Sequence, residues 1–378
     1  MATSEQLDQK LQQWVAASVI DLPAAERIRV FEAAHDTGRM RWPVVLAIAF
    51  GAIMVAAGVL LFVAAHWDQL SPAQRFLLVL AMIAVFHLAA GALMPRLQAL
   101  GIALHGVGTV ALGAGIFLAG QIFNLEEHWP SGILMWAIGA LISWVVLRDW
   151  VQATLTALLI PAWIASEWDF RTQHFHGGEH RLIQFLALLA FTYLGARHAE
   201  TGSNFRRALC WIGGIALLPM CAAAAWEREA IWEWRALPHM PVSFQVTGWI
   251  MAFILPLALA AILRGRGAIW NAGFAVWLLA LAPLDSHDVL QNLAVYGLCA
   301  AACVALVTWG IQEQRRERIN LGVAGFAITI IAFYFSTFMD KLGRSASLVA
   351  FGLLFLLGGW KLEQLRRKLV ARARGSAS

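Results

Sequence analysis

Twelve runs of mostly apolar residues, each 16 to 25 long, dominate the chain. They fall near 43–65, 75–94, 99–123, 131–147, 150–166, 182–197, 208–226, 243–263, 268–284, 289–311, 319–338 and 345–361. A helix rises about 1.5 Å per residue, so about 20 apolar residues cross a hydrocarbon layer about 30 Å thick. Nothing alternates apolar with polar at a period of two, which excludes a β-barrel. Composition agrees: 60% of the 378 residues are hydrophobic and 13% charged, where soluble chains carry about 25% charged residues. The expected fold is all-α, a polytopic transmembrane helix bundle of about 12 spans. Soluble enzymes, nucleic-acid binders and disordered chains are excluded at this step. The division between 131–147 and 150–166 rests on Arg148-Asp149 alone.

Basic residues set the orientation, because short cytoplasmic loops hold an excess of Lys and Arg. With the N-terminus inside and alternating spans, the inner side holds 21 of the 28 Lys and Arg and 11 of the 23 Asp and Glu. The outer side holds 7 and 12. A wrong span count would scramble this asymmetry beyond the error. Both termini are therefore expected in the cytoplasm. The net charge of +5 reads as an insertion signal, and no nucleic-acid partner is needed to explain it.

Three segments are expected. Residues 1–42 are a cytoplasmic helical hairpin, 43–361 the transmembrane domain, and 362–378 a basic cytoplasmic tail that favours anionic lipid. No cleavable signal peptide is visible, since the first apolar run is already a full span. In the hairpin, Leu7, Leu11, Trp14, Val15 and Val19 recur at helical spacing. Asp21-Leu22-Pro23 then stops one helix and starts the next, over 23–36. Cys210, Cys221, Cys299 and Cys303 all lie within spans and read as small packing residues, not a disulfide framework. The longest loops, near 166–181 and 227–242, are too short for a separate domain.

No P-loop, HExxH, GxSxG or spaced Cys/His pattern occurs, and nothing calls for a cofactor. Span interiors carry no Asp, Glu, Lys or Arg, which argues against a proton-relay transporter. The third span has two rows of glycines, Gly101/Gly108/Gly115 and Gly106/Gly113/Gly120. At 100° per residue the rows lie about 140–160° apart, so neighbours can approach closely on two faces.

Two histidines lie inside the membrane, His87 and His105. They flank the short turn Pro95-Arg96-Leu97-Gln98 at matching heights, each on a small-residue face. The expectation is an intramembrane polar pair within direct or one-water hydrogen-bonding reach. A second group, His66, Asp68, Gln121, Asn124, Glu126, Glu127 and His128, sits in two neighbouring outer loops and forms the candidate outer-face site. Its mixed imidazoles and carboxylates would suit a cation or a hydroxyl substrate. The run His174, His176, Glu179 and His180 has donors that could take Zn²⁺ or Cu²⁺, but solvated loop histidines are the commoner outcome.

Some stretches are familiar: "FVAAHWDQLSPAQR" at 62–75, "GAGIFLAGQIFNL" running on to "LMWAIGAL" within 113–141, and "RINLGVAGFAITIIAFYF" with "DKLGRSASLVAFGLLFLLGGWKLE" within 318–363. With the N-terminal hairpin they resemble the bacterial membrane family filed as domain of unknown function 2157, most strongly over 45–150. The motif positions here are His66, Trp67, Asp68, Gly120, Gln121 and Asn124. The resemblance implies a bacterial cytoplasmic-membrane protein and no activity. The first functional reading is a bundle that binds or moves a small or amphipathic molecule, reached from the outer face near spans 1–4. The alternatives are a membrane enzyme with an outer His/carboxylate site, and an envelope assembly factor. Membrane lipids are the expected partners, with an oligomer or another envelope protein as further options.

Overall fold

The computed structural model describes residues 11–35, 70–123, 128–175, 177–197, 203–226, 238–282, 284 and 289–337, with isolated positions at 54, 352, 358–361 and 364. Among them 88% are helical and no strand occurs. The chain divides into two units, 1–75 and 76–378.

In the first unit α1 spans Leu22–His35. Asp21 starts it by accepting the Ala24 N–H on its carboxylate at 2.9 Å, and Pro23 occupies the first turn, where its missing N–H costs nothing. Leu11 and Ala25 are buried, while Phe31 is 59% exposed. Pairing of 4–20 against 23–36 involves residues outside the described ones. Helix α2 (Pro72–Leu93) begins at the end of this unit with a reciprocal cap. Gln74 Oε1 accepts the Ser71 N–H at 2.8 Å, and Ser71 Oγ accepts the Gln74 N–H at 3.4 Å.

In the second unit α2 is followed by α3 (Gln98–Ile122), α4 (Pro130–Leu147), α5 (Trp150–Thr172), α6 (Gly178–Gly195) and α7 (Asn204–Trp226). Next comes α8 (Val242–Trp249), which runs through a π-helical turn, Ile250–Ile254, into α9 (Leu255–Arg264). A 3₁₀ turn, Gly265–Ala268, leads to α10 (Ile269–Leu281), followed by α11 (Val289–Gln312) and α12 (Arg316–Thr337). Seven helices among the described residues are long and apolar enough to cross a membrane. One of them is the 40-residue stretch Val242–Leu281. Forty residues would reach about 60 Å if straight, but the stretch is broken at Gly265, where φ is +57°. A side chain there would be strained, so glycine is the residue that permits the turn. The runs 43–65 and 345–361 lie outside the described residues, apart from isolated positions.

Arg148 and Asp149 do separate two helices. Arg148 closes α4 in the left-handed conformation at φ +52°. Asp149 then caps α5, its Oδ1 accepting the Gln152 N–H at 2.8 Å. The two helices share a small core of Ala137, Ala140 and Leu159. Helix α5 also extends past the expected loop start at 166 to Thr172. Its end is tied down where Trp168 Nε1–H donates to the Gly178 carbonyl at 2.8 Å.

Helix α3 is in contact on two sides. A Cβ on Gly101 would meet Met94, just past the end of α2, and one on Gly115 Val79 of α2, whereas one on Gly106 or Gly113 would meet Val151 of α5 or Trp136 of α4. The two glycine rows thus serve different neighbours. The most enclosed helix is α6. Its residues from Gln184 to Gly195 are buried except Leu186, which is partly so, and Phe185, Leu188, Phe191 and Leu194 hold the main core together. Gly213 of α7 brings the backbones into contact: a Cβ there would lie 2.3 Å from Leu194 N and 2.4 Å from Ala190 O.

Candidate functional site

His87 on α2 and His105 on α3 meet. Their Nδ1 atoms are 2.9 Å apart, with ring centroids at 5.2 Å. One Nδ1–H must donate while the other Nδ1 accepts, so the two rings hold opposite tautomers and share one proton. Gly108 supplies the room: a Cβ there would come within 2.8 Å of His87 Nε2. Next to this pair Thr109 Oγ1 donates to Gln152 Oε1 at 3.0 Å, and Trp136 Nε1–H donates to the Thr109 carbonyl at 2.8 Å. Polar side chains thus link α3 to α2, α4 and α5.

Of the outer-face group, His128 and Gln121 are described. His66, Asp68, Asn124, Glu126 and Glu127, and with them any approach of Asp68 to His128, lie outside the described residues. Gln121 is exposed. His128 Nε2 lies 2.5 Å from Glu167 Oε2 and presents its ring to Phe170 edge-on at 4.1 Å. Arg171 Nε donates to the other oxygen of Glu167. Burial raises the Glu167 carboxyl, but the His128 and Arg171 contacts outweigh it and leave the group below its ordinary range. Glu167 was not singled out from the sequence. The available signal was its place on the same outer side as His128.

In the other histidine loop His174 and Glu179 are exposed. His180 Nε2 is 2.9 Å from Gln184 Nε2, and His176 lies outside the described residues. Among the described residues no three His, Cys, Asp or Glu side chains are arranged to hold a metal.

Two apolar cavities lie elsewhere, among α6, α7, α10, α11 and α12. An apolar cavity of about 320 Å³ is bounded by Leu217, Cys221, Trp277, Cys299, Cys303 and Ile328. A second, of about 270 Å³, is bounded by Trp270, Gly273, Ala305 and Trp309. The two share Phe191, Phe274, Trp277, Ala302 and Leu306, and no lining residue is charged. A column of rings runs along this wall. Trp277 lies 5.2 Å from Phe274, Phe274 stacks on Phe191 at 4.4 Å, and Phe191 stacks on Trp309 at 4.8 Å. Cys299 and Ile328 lie about 20 Å along their helices from the α11–α12 turn, so the cavity reaches the middle of a bilayer-thick bundle.

The column ends on charge. The Arg318 guanidinium lies over the Trp309 ring at 3.7 Å and that of Arg264 at 4.8 Å. Both pair with Glu313: Arg318 Nη1 at 2.5 Å from Oε2, and Arg264 Nη2 on Oε1. Trp309 Nε1–H also donates to Glu313 Oε1, at 2.6 Å. Burial raises the Glu313 carboxyl, yet the bond and charge of Arg318 lead a larger opposing effect, so it sits below the ordinary carboxylate range. Arg318 Nη2 donates to the Arg197 carbonyl at 3.0 Å, and Arg206 Nη1 to the carbonyls of Ala196 and Leu263. From the sequence these residues served only as an insertion signal. Their shared position at span ends on one side was the available hint.

Residues 12–153 match the family model described as "Predicted membrane protein (DUF2157)". The match covers less than half the chain, from α1 to the start of α5. It contains His87, His105 and His128, whereas the cavity and the arginine cluster lie beyond it. No curated protein and no solved structure matches.

Proposed function

We propose that this protein is a multi-pass bacterial inner-membrane protein that binds a small apolar or amphipathic molecule within its helix bundle. The cavity among α6, α7, α10, α11 and α12 carries this reading, since its walls are uncharged and mostly aliphatic or aromatic. Sites of this kind gain affinity by taking apolar ligand surface out of water and by close packing against their walls, and orient the ligand through a few polar groups. The cavity is lined by α6, α7, α10, α11 and α12, so the route of access in this reading is through that group of helices.

The full arrangement we infer has twelve spans with both termini inside. Contacts at the helix ends support it. His128 with Glu167 and Trp168 with Gly178 join segments assigned outside. Arg197 with Glu317 and Arg264 with Glu313 join segments assigned inside.

Ala302 borders both cavities, and Ala302→Trp would put an indole where they meet and obstruct them. Titration of the purified protein with a lipophilic fluorescent probe tests the reading. Binding to the native chain and at least tenfold weaker binding to Ala302→Trp is the expected result. Equal binding by both, or none by the native chain, rules the cavity out as the site.

A further inference from the structure

The arginine cluster below the cavity has more positive charge than its acids answer. The Arg264 side chain is 2% exposed and that of Arg318 0%, and Arg315 is 8% exposed. In the described contacts Arg264 and Arg318 share one carboxylate, Glu313, Arg315 makes no ion pair, and Glu317 pairs with Arg197 at 3.5 Å. Four guanidinium nitrogens are buried without a hydrogen-bond acceptor: Nε and Nη1 of Arg264, Nε of Arg315 and Nε of Arg318. A buried N–H without an acceptor loses its hydration and gains nothing, and an unanswered buried charge costs more. Guanidinium groups are the side chains best shaped for phosphate and carboxylate oxygens.

The cluster also adjoins the apolar space. Trp309 and Trp270 form one end of the smaller cavity, and the Arg264 and Arg318 guanidiniums lie on the Trp309 ring. One indole therefore separates the uncharged cavity from the unsatisfied donors. Arg264 is bound to Glu313 through Nη2, and its Nε and Nη1 have no hydrogen-bond partner. For these donors to meet a head group at the cavity mouth, the guanidinium would have to turn about its stem past the indole edge.

We infer that the ligand is an amphiphile with an anionic oxygen head, a phosphate or carboxylate, whose head binds Arg264, Arg315 and Arg318 and whose alkyl chain fills the cavity beside Phe191 and Trp309. This rests on the proposed cavity function and adds the head-group chemistry. The anion supplies the missing acceptors and balances the excess charge. The chain supplies the apolar surface that the cavity walls bury.

The test uses the full-length protein in nanodiscs of neutral lipid, with dodecyl phosphate, dodecanol and inorganic phosphate as probes at sub-micellar concentration. Dodecyl phosphate should bind at least tenfold more tightly than dodecanol, and inorganic phosphate alone should compete only weakly. Arg264→Gln should reduce that preference to within about twofold while leaving dodecanol binding unchanged. Arg315→Gln, which removes no observed ion pair, is the second variant, should Arg264→Gln fail to fold, and should also weaken dodecyl phosphate selectively. Equal affinity for dodecyl phosphate and dodecanol overturns the head-group assignment while leaving the cavity intact. Binding of neither overturns the cavity itself. Inorganic phosphate that competes as strongly as dodecyl phosphate shows a free-anion site and overturns the role given to the chain.

Discussion

The His87–His105 contact depends on two rings in opposite tautomers whose Nδ1 atoms are 2.9 Å apart. Losing one partner leaves the other imidazole without its hydrogen bond in a site where His105 is 7% exposed. His87→Ala and His105→Ala should therefore be non-additive, with a coupling of about 1 kcal/mol in a double-mutant cycle read by unfolding in mixed detergent. Simple addition of the two effects would mean that the bond contributes nothing. The pairing was legible in the sequence because a short turn fixes the height of both residues and flanking small residues fix their faces. Glu167 was less legible, since nothing in its own segment distinguishes it from the other acids of the outer loops. Its depressed carboxyl pKa has a definite sign. The contribution to stability is complete above the ordinary carboxylate pKa and is lost as pH falls through the lower folded value. Glu167→Gln should therefore destabilise the protein at neutral pH, have little effect at low pH, and so flatten the acid side of the stability–pH profile. An unchanged acid limb would show that the His128 contact does not stabilise the fold.

Among the helices, α6 and α7 approach until backbone meets backbone. Gly213→Ala would place a Cβ 2.3 Å from Leu194 N and 2.4 Å from Ala190 O. Main-chain atoms cannot move aside as a rotamer can, so a loss of about 3 kcal/mol or more is expected. Gly297 has nothing within 4 Å of its Cβ position, and Gly297→Ala should stabilise its helix slightly, by up to about 1 kcal/mol. Thermal denaturation of the two variants checks the contrast, and equal behaviour would refute the close approach. The glycine rows of α3 were legible because absence of side chains leaves a pattern. The enclosure of α6 was not. In a bilayer a core helix and a lipid-facing helix are both apolar on every side, so Phe185 and Leu188 look no different in sequence from the exposed Leu77 and Val85. The cavity was hidden for the same reason. It is formed by ordinary apolar residues from five helices whose neighbours hydropathy does not identify.

At the scale of the whole molecule, charge was the informative signal, because membrane insertion sorts Lys and Arg by side. The same residues also form the Arg264–Glu313–Arg318 cluster, a role that net counts per loop do not contain. Reporter fusions at Gly178 and Ser378 check the arrangement. A reporter active only after export should work at Gly178 and fail at Ser378, and activity at Ser378 would overturn the twelve-span alternation. The central claim is that the bundle encloses a ligand. Native mass spectrometry of the protein, extracted gently from its own membrane, tests it most directly. The account predicts one bound small molecule per chain, an amphiphile with an anionic head, released from Ala302→Trp. A native chain measured without adduct, or one whose adduct persists at equal occupancy in Ala302→Trp, would contradict it.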